Sequence, residues 1–167
     1  MKKLFVLFAL AFSLTNLKAQ YVTIPDANFA AWLQTNIPSA MIGNQMDTTN
    51  LAVITTTSIN VYYKWISDLH GIQYFKTLKS LDCSTNNIIV LNNLPNTLLY
   101  LKCDYNQISN LPVLPNSLET LICSNNELTS LPALPSSLKT LICNKTFAPY
   151  LSSIPNLPAQ LDTLEID

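Results

Sequence analysis

The residues of this chain best able to do chemistry are four cysteines, at 83, 103, 123 and 143, which recur every 20 positions. Four thiols could pair as disulfides, hold a zinc ion as thiolates, or act as nucleophiles. The even interval argues against all three. Equivalent side chains on neighbouring short strands lie about 4.8 Å apart and point the same way. A disulfide prefers a Cβ separation of about 3.8 Å, and zinc needs four ligands converging on one point. Set among leucines and isoleucines, Cys83, Cys103, Cys123 and Cys143 are expected to be free, buried thiols that pack as small hydrophobes. The only histidine, His70, follows Asp68 by two residues and precedes Gly71, and no further element completes a Ser/His/Asp arrangement around it. A role in a turn is the expectation. Zinc-protease, phosphate-loop, dinucleotide and nucleophile-elbow patterns do not occur, so no catalytic residue, metal or cofactor is expected.

What positions the cysteines is a repeat. Leu78-Lys-Ser-Leu81-Asp-Cys83-Ser-Thr-Asn86 is matched by Leu98-Leu-Tyr-Leu101-Lys-Cys103-Asp-Tyr-Asn106 and by Leu118-Glu-Thr-Leu121-Ile-Cys123-Ser-Asn-Asn126. Leu138-Lys-Thr-Leu141-Ile-Cys143 opens a fourth unit and Leu161-Asp-Thr-Leu164-Glu-Ile166 a fifth. In Leu81-Asp82-Cys83 the first and third side chains share a face and Asp82 takes the other, as in a short strand. The return arm holds pairs such as Leu111-Pro112 and Leu114-Pro115, which forbid a regular helix there. One coil cannot bury its own leucines, whereas stacked coils share them. The expected fold is therefore an α/β-type solenoid, with a parallel β-sheet on the concave face and an extended or short-turn convex side. Asn86, Asn106 and Asn126 should bond backbone groups where each coil turns inward.

The unit LPxLPxxLxxLxCxxNxL resembles the 20-residue leucine-rich repeats of secreted bacterial proteins. The stretch Ile66-Ser-Asp-Leu-His-Gly-Ile72 is similar to the 22-residue units of internalin-like surface proteins, with Val61 in the cysteine's place 22 residues before Cys83. The resemblance implies a repeat fold that hosts many unrelated functions. In the ubiquitin-ligase effectors that share the LPxLP unit, catalysis resides in a separate domain, for which this chain has no room.

Both ends of a stack need cover. Asp26 before Ala27–Asn36 is the expected N-cap of a short helix laying Phe29 and Trp32 over the first coil. Ile24-Pro-Asp-Ala-Asn-Phe29 looks like the opening of the segment that precedes the repeats in those relatives. A calcium loop at Ile42–Asn50 is not expected, with one carboxylate available. Residues 51–63, rich in Thr, Val, Ile and Tyr, should form one or two strands. Three residues inserted around Phe147 to Tyr150 should bulge or plug, and Leu161, Leu164 and Ile166 form a final strand expected to fray or be shielded by polar edges. Met1–Ala19 has Lys2 and Lys3 before an apolar Leu4–Leu14 run, a removable export signal with cleavage before Gln20; an uncleaved anchor is the alternative. The domains are thus 1–19 signal, 20–55 cap, and 56–167 repeats, with coils starting near 56, 78, 98, 118, 138 and 161.

Composition narrows the function. Of 167 residues 28 are leucine, charged residues make up 11%, glycine occurs twice and arginine never. Beyond residue 19 stand six lysines and all ten acids, a net charge of −4, so no nucleic-acid partner is expected. No other apolar run approaches membrane-spanning length, so the mature chain should not insert into a membrane and should be secreted or held at the cell surface. The strand face remains. Its candidate binding residues are Asp82 and Ser84; Tyr100, Lys102, Asp104 and Tyr105; Ile122 and Ser124; Ile142 and Asn144. Such a mixed face suits a protein or peptide, though five coils span only about 20–25 Å, the low end for a stable interface. A carbohydrate or adhesion role, with Tyr100 and Tyr105 as stacking platforms, is the alternative, followed by a purely structural, self-associating repeat. Asn144-Lys-Thr146 is formally a glycosylation triplet, relevant only in a eukaryotic secretory pathway.

Overall fold

The computed structural model describes residues 19–144 and 154–166. The export signal expected over 1–19, but for Ala19, and the insertion expected around Phe147 to Tyr150 lie outside them, as do Lys145 and Thr146.

The repeats form one six-stranded parallel sheet. Its strands are β4 (Ser58–Asn60), β5 (Ser80–Asp82), β6 (Tyr100–Lys102), β7 (Thr120–Ile122), β8 (Thr140–Cys143) and β9 (Thr163–Ile166), paired in chain order. Register follows the repeat: Ile59, Leu81, Leu101, Leu121, Leu141 and Leu164 are successive rungs. The alternation of short strands explains the interior, because every second side chain must point inward. Leu81, Leu101, Leu121 and Leu141 are fully buried, as are all four cysteines, which are free. Among the described residues the chain returns through turns and extended segments, with one 3-10 turn at Ile72–Tyr74 on the first coil. This is a solenoid of about five coils.

Two ladders of side chains tie coil to coil. At the C-terminal end of each strand, Asn106 Nδ2 donates to the carbonyls of Cys83 and Cys103, both at 3.1 Å, while its Oδ1 accepts from Ile88 N–H at 3.0 Å. Asn126 repeats the set one coil on, with the carbonyls of Cys103 and Cys123 and Ile108 N–H. Asn86 serves the carbonyls of Val61 and Cys83 and the N–H groups of Lys64 and Ile66. These are backbone groups that would otherwise be buried unpaired. A second ladder stands at the other end. Thr77, Thr97, Ser117 and Ser137 donate to the carbonyls of Thr56, Leu78, Leu98 and Leu118 in the coil before.

The N-terminal end is covered by a small antiparallel sheet, β1 (Tyr21–Thr23), β3 (Gln45–Asp47) and β2 (Met41–Ile42) in that order, and by helix α1 (Ala27–Asn36). Gly43, at φ +58°, makes the turn between β2 and β3. Asp26 caps α1, its Oδ1 accepting from Phe29 N–H at 2.8 Å, and its Oδ2 takes both the amide and the hydroxyl of Ser67. One carboxylate thus pins the helix to the first coil. Burial opposes its ionisation, yet these bonds from Ser67 and Phe29 hold it below the usual carboxylate range. Phe29 and Leu33 are fully buried, and Trp32 packs at the edge of the same cluster. Gly71, at φ +108°, lies so close under the cap that a Cβ there would collide with Ile24 Cδ1.

The expectation of strand over residues 51–63 is corrected in its first half. Leu51–Thr55 is a short helix, α2, and only Ser58–Asn60 is strand. Local capping outweighs the β-prone composition. Asn50 Oδ1 accepts from Ala52 N–H at 3.0 Å, and the hydroxyls of Thr55 and Thr56 bond back to the carbonyls of Leu51 and Ala52.

Candidate binding face

The outward residues of the sheet form two rows. One runs Ser80, Tyr100, Thr120, Thr140 and Thr163; the other runs Asp82, Lys102, Ile122, Ile142 and Glu165, as parallel register requires. Tyr100, Asp82, Lys102, Ile122 and Ile142 are half-buried, and Tyr105, just past β6, is 58% exposed. Asn144 is half-buried and donates through Nδ2 to Glu165 Oε2 at 3.3 Å. These seven candidate residues line one surface.

Three others do not. Ser84, Asp104 and Ser124 are buried, which corrects their assignment to the open face. Alternation stops where each coil turns: Thr85, Tyr105 and Asn125 take left-handed backbone at φ +54° to +55°, and the residue before each is tucked beneath its neighbours. Ser84 Oγ donates to Asp82 Oδ1, and Ser124 Oγ accepts from Asn144 N–H at 2.9 Å. Asp104 Oδ1 accepts no hydrogen bond, and Lys102 Nζ stands 4.0 Å away. Burial raises the Asp104 carboxyl above its usual range, although Lys102 works against this.

The structure adds a feature that the repeat pattern hides. Tyr62, Tyr63 and Trp65, all more than half exposed, form a ridge at the edge of the first coil. The Tyr62–Tyr63 centroids are 6.1 Å apart and the Tyr63–Trp65 centroids 5.4 Å. The backbone beneath is fixed: Asn60 Oδ1 accepts from Tyr62 N–H, Tyr63 N–H donates to Ser84 O, and Trp65 O accepts from Asn28 Nδ2. Tyr63 is left-handed at φ +53°, in register with Thr85 and Tyr105. That positional match, 22 residues before Thr85, is the signal by which the sequence could have revealed it.

Among the described residues no group of three His, Cys, Asp or Glu side chains could hold a metal, and no helix is long and apolar enough to cross a membrane. Burial pushes the Cys83 and Cys103 thiols well above their ordinary range; a hydrogen bond with Cys143, together with burial, does the same to Cys123. Thiols so placed carry little thiolate and are poor nucleophiles. His70 sits in a turn, its N–H donating to Asp68 Oδ1 at 2.8 Å.

Neither a protein-family model nor a curated protein matches the chain. Solved structures do. The functional domain of InlJ from Listeria monocytogenes, described as including a cysteine ladder, is similar over 90% of this chain and 39% of its own, at 27% identity and a TM-score of 0.63. YopM of Yersinia pestis, described as a leucine-rich effector protein, is 32% identical over 66% of this chain and 36% of its own, with a TM-score of 0.56. YopM of Yersinia enterocolitica WA-314 is 37% identical over 55% of this chain and 20% of its own, with a TM-score of 0.52. The chain therefore spans between a fifth and two fifths of the solved chains it matches. The in-register rungs, the inward asparagines and these neighbours identify the fold as a leucine-rich repeat solenoid, similar to bacterial leucine-rich repeat proteins.

Proposed function

We propose that this chain is a secreted, non-catalytic leucine-rich repeat module that binds a protein or peptide through its concave sheet. The observation that carries the reading is the pair of outward rows on β5 to β8. It sets the half-exposed Ile122 and Ile142 beside Lys102, Asp82 and Tyr100 on a backbone held by two side-chain ladders. Such a surface loses little conformational freedom on binding, which favours association. Interfaces are enriched in aromatic residues, and Tyr105 and the Tyr62–Tyr63–Trp65 ridge extend the contact area along one edge. The similarity to bacterial leucine-rich repeat proteins points to a protein partner and to action outside the cell.

A photo-crosslinker placed at Ile122 should capture partner protein, whereas one at Val113, 89% exposed on the convex side, should not. Capture from Val113 alone would move the site to the back of the solenoid. Amino-terminal sequencing of chain recovered from the medium should begin at Gln20. The exposed aromatic ridge favours glycan binding as a second reading, because ring faces stack on the C–H faces of sugars. A glycan array with Trp65→Ala as control separates the two.

A further inference from the structure

The cap and the first coil enclose a cleft that lies apart from the concave sheet. Helix α1 buries Phe29, Ala30 and Leu33 against the stack, so its 3.6-residue turn puts Asn28, Ala31, Trp32 and Thr35 on the opposite side. Those four, with Asn36 at their edge and Lys64 of the first coil facing them, line a cleft of about 410 Å³. Small-ligand sites hold roughly 300–1,000 Å³. Ala31, a single methyl group in the middle of the row, leaves the space open. Both walls are held in place: Asn28 Nδ2 donates to Trp65 O at 2.8 Å, joining the helix to the aromatic ridge, and Lys64 N–H donates to Asn86 Oδ1 at 3.0 Å.

The lining defines the chemistry of an occupant. Trp32 brings a half-buried indole, an apolar body with one polar edge. Asn28 and Asn36 each commit one Nδ2 hydrogen to a carbonyl, of Trp65 and Trp32, and Thr35 Oγ1 donates to Ala31 O. Each amide keeps its Oδ1 and a second N–H, and the Thr35 oxygen keeps its lone pairs. Groups that accept and donate side by side match neighbouring hydroxyls, which do the same. Lys64 is exposed and joins no ion pair among the described residues, and no acid lines the cleft. An incoming carboxylate would give its ammonium a charged acceptor. A C–H ring face, adjacent hydroxyls and a carboxylate occur together in an acidic sugar. An acidic side chain of a peptide would meet the lysine but bring no hydroxyls to the amides.

We propose that this cleft is a binding site for a carboxylate-bearing sugar, separate from the concave sheet. Trp32 stacks on the ring, the amides of Asn28 and Asn36 take its hydroxyls, and Lys64 pairs with its carboxylate. The site rests on the glycan reading of the neighbouring ridge and gives that reading a sugar class.

The chain has two tryptophans, Trp32 in the cleft and Trp65 on the ridge, so their indole N–H resonances report the two places separately. Trp65→Ala assigns them and leaves the carbonyl that holds Asn28 in place. Methyl β-glucuronide and the methyl α-glycoside of N-acetylneuraminic acid are titrated into the whole chain, with methyl β-glucoside as the neutral control. At least one acidic sugar should shift the Trp32 indole and bind about three-fold or more tightly than the glucoside. Lys64→Gln should abolish that preference and Lys64→Arg should keep it. Ala31→Phe, which fills the cleft from an exposed position, should abolish the Trp32 shift while the far-ultraviolet circular dichroism stays unchanged. No Trp32 shift with either acidic sugar, or a preference that survives Lys64→Gln, would overturn the proposal. Sugars that move Trp65 alone would keep the ridge as a glycan surface and remove the cleft. An acidic sugar that still moves Trp32 in Trp65→Ala would retain the cleft where the ridge reading had failed.

Discussion

The interior of the solenoid and its concave face are built on the same six strands, yet they differ in how far they repeat. Inside, the coils of β5, β6 and β7 present Leu, Cys and Asn at the same places, all buried. Outside, the register-matched sets are Ser80, Tyr100, Thr120 and Thr140, and Asp82, Lys102, Ile122 and Ile142. An inward residue must fit the residues above and below it, so a change in one coil creates a void or clash in two others. An outward residue meets solvent and tolerates change. Variation among coils is therefore concentrated in the outward rows.

Three substitutions sharpen this contrast or break it. Leu121→Ala, in mid-stack, should cost roughly 2–5 kcal/mol through lost burial and a cavity, read from urea unfolding. A loss under about 1 kcal/mol would show that the rung is not packed on both sides. Asn126→Ala should come next, at about 1–3 kcal/mol, because Ile108 N–H and the carbonyls of Cys103 and Cys123 lose their partner. Ile122→Thr, one residue from Leu121 but facing outward, should change stability by no more than about 0.5 kcal/mol while weakening partner capture. If it matched Leu121→Ala in cost, the division between interior and face would fail.

The interior was legible in the sequence because periodicity reports it directly: Leu81, Leu101, Leu121 and Leu141, the cysteines and the asparagines are found where their spacing puts them. Legibility ended where a different local rule took over. Strict alternation assigned Ser84, Asp104 and Ser124 to the open face, but the left-handed residues that follow redirect the chain and bury them. Leu51–Thr55 has the composition of a strand and the caps of a helix, and the caps prevail. The Tyr62–Tyr63–Trp65 ridge lies in the first coil, whose 22-residue interval removes it from the 20-residue alignment that exposed the rest. The ladder of Thr77, Thr97, Ser117 and Ser137 before the strands obeys the period, yet small hydroxyl residues read as ordinary turn formers until their partners are seen.

The ladders also have a direction. Asn86, Asn106 and Asn126 each reach a carbonyl of the coil before their own, and so do Thr77, Thr97, Ser117 and Ser137. Trimming one coil from the C-terminal side takes the acceptor from a buried amide of the coil before, as Asn126 is for Ile108 N–H, but leaves every remaining hydroxyl its carbonyl. Trimming from the N-terminal side leaves the hydroxyl of the new first coil without its carbonyl, while the amide keeps only the carbonyls of its own coil. In the hydroxyl ladder each coil thus offers carbonyls to its successor, and a chain emerging amino end first from a ribosome brings each new hydroxyl to acceptors already in place.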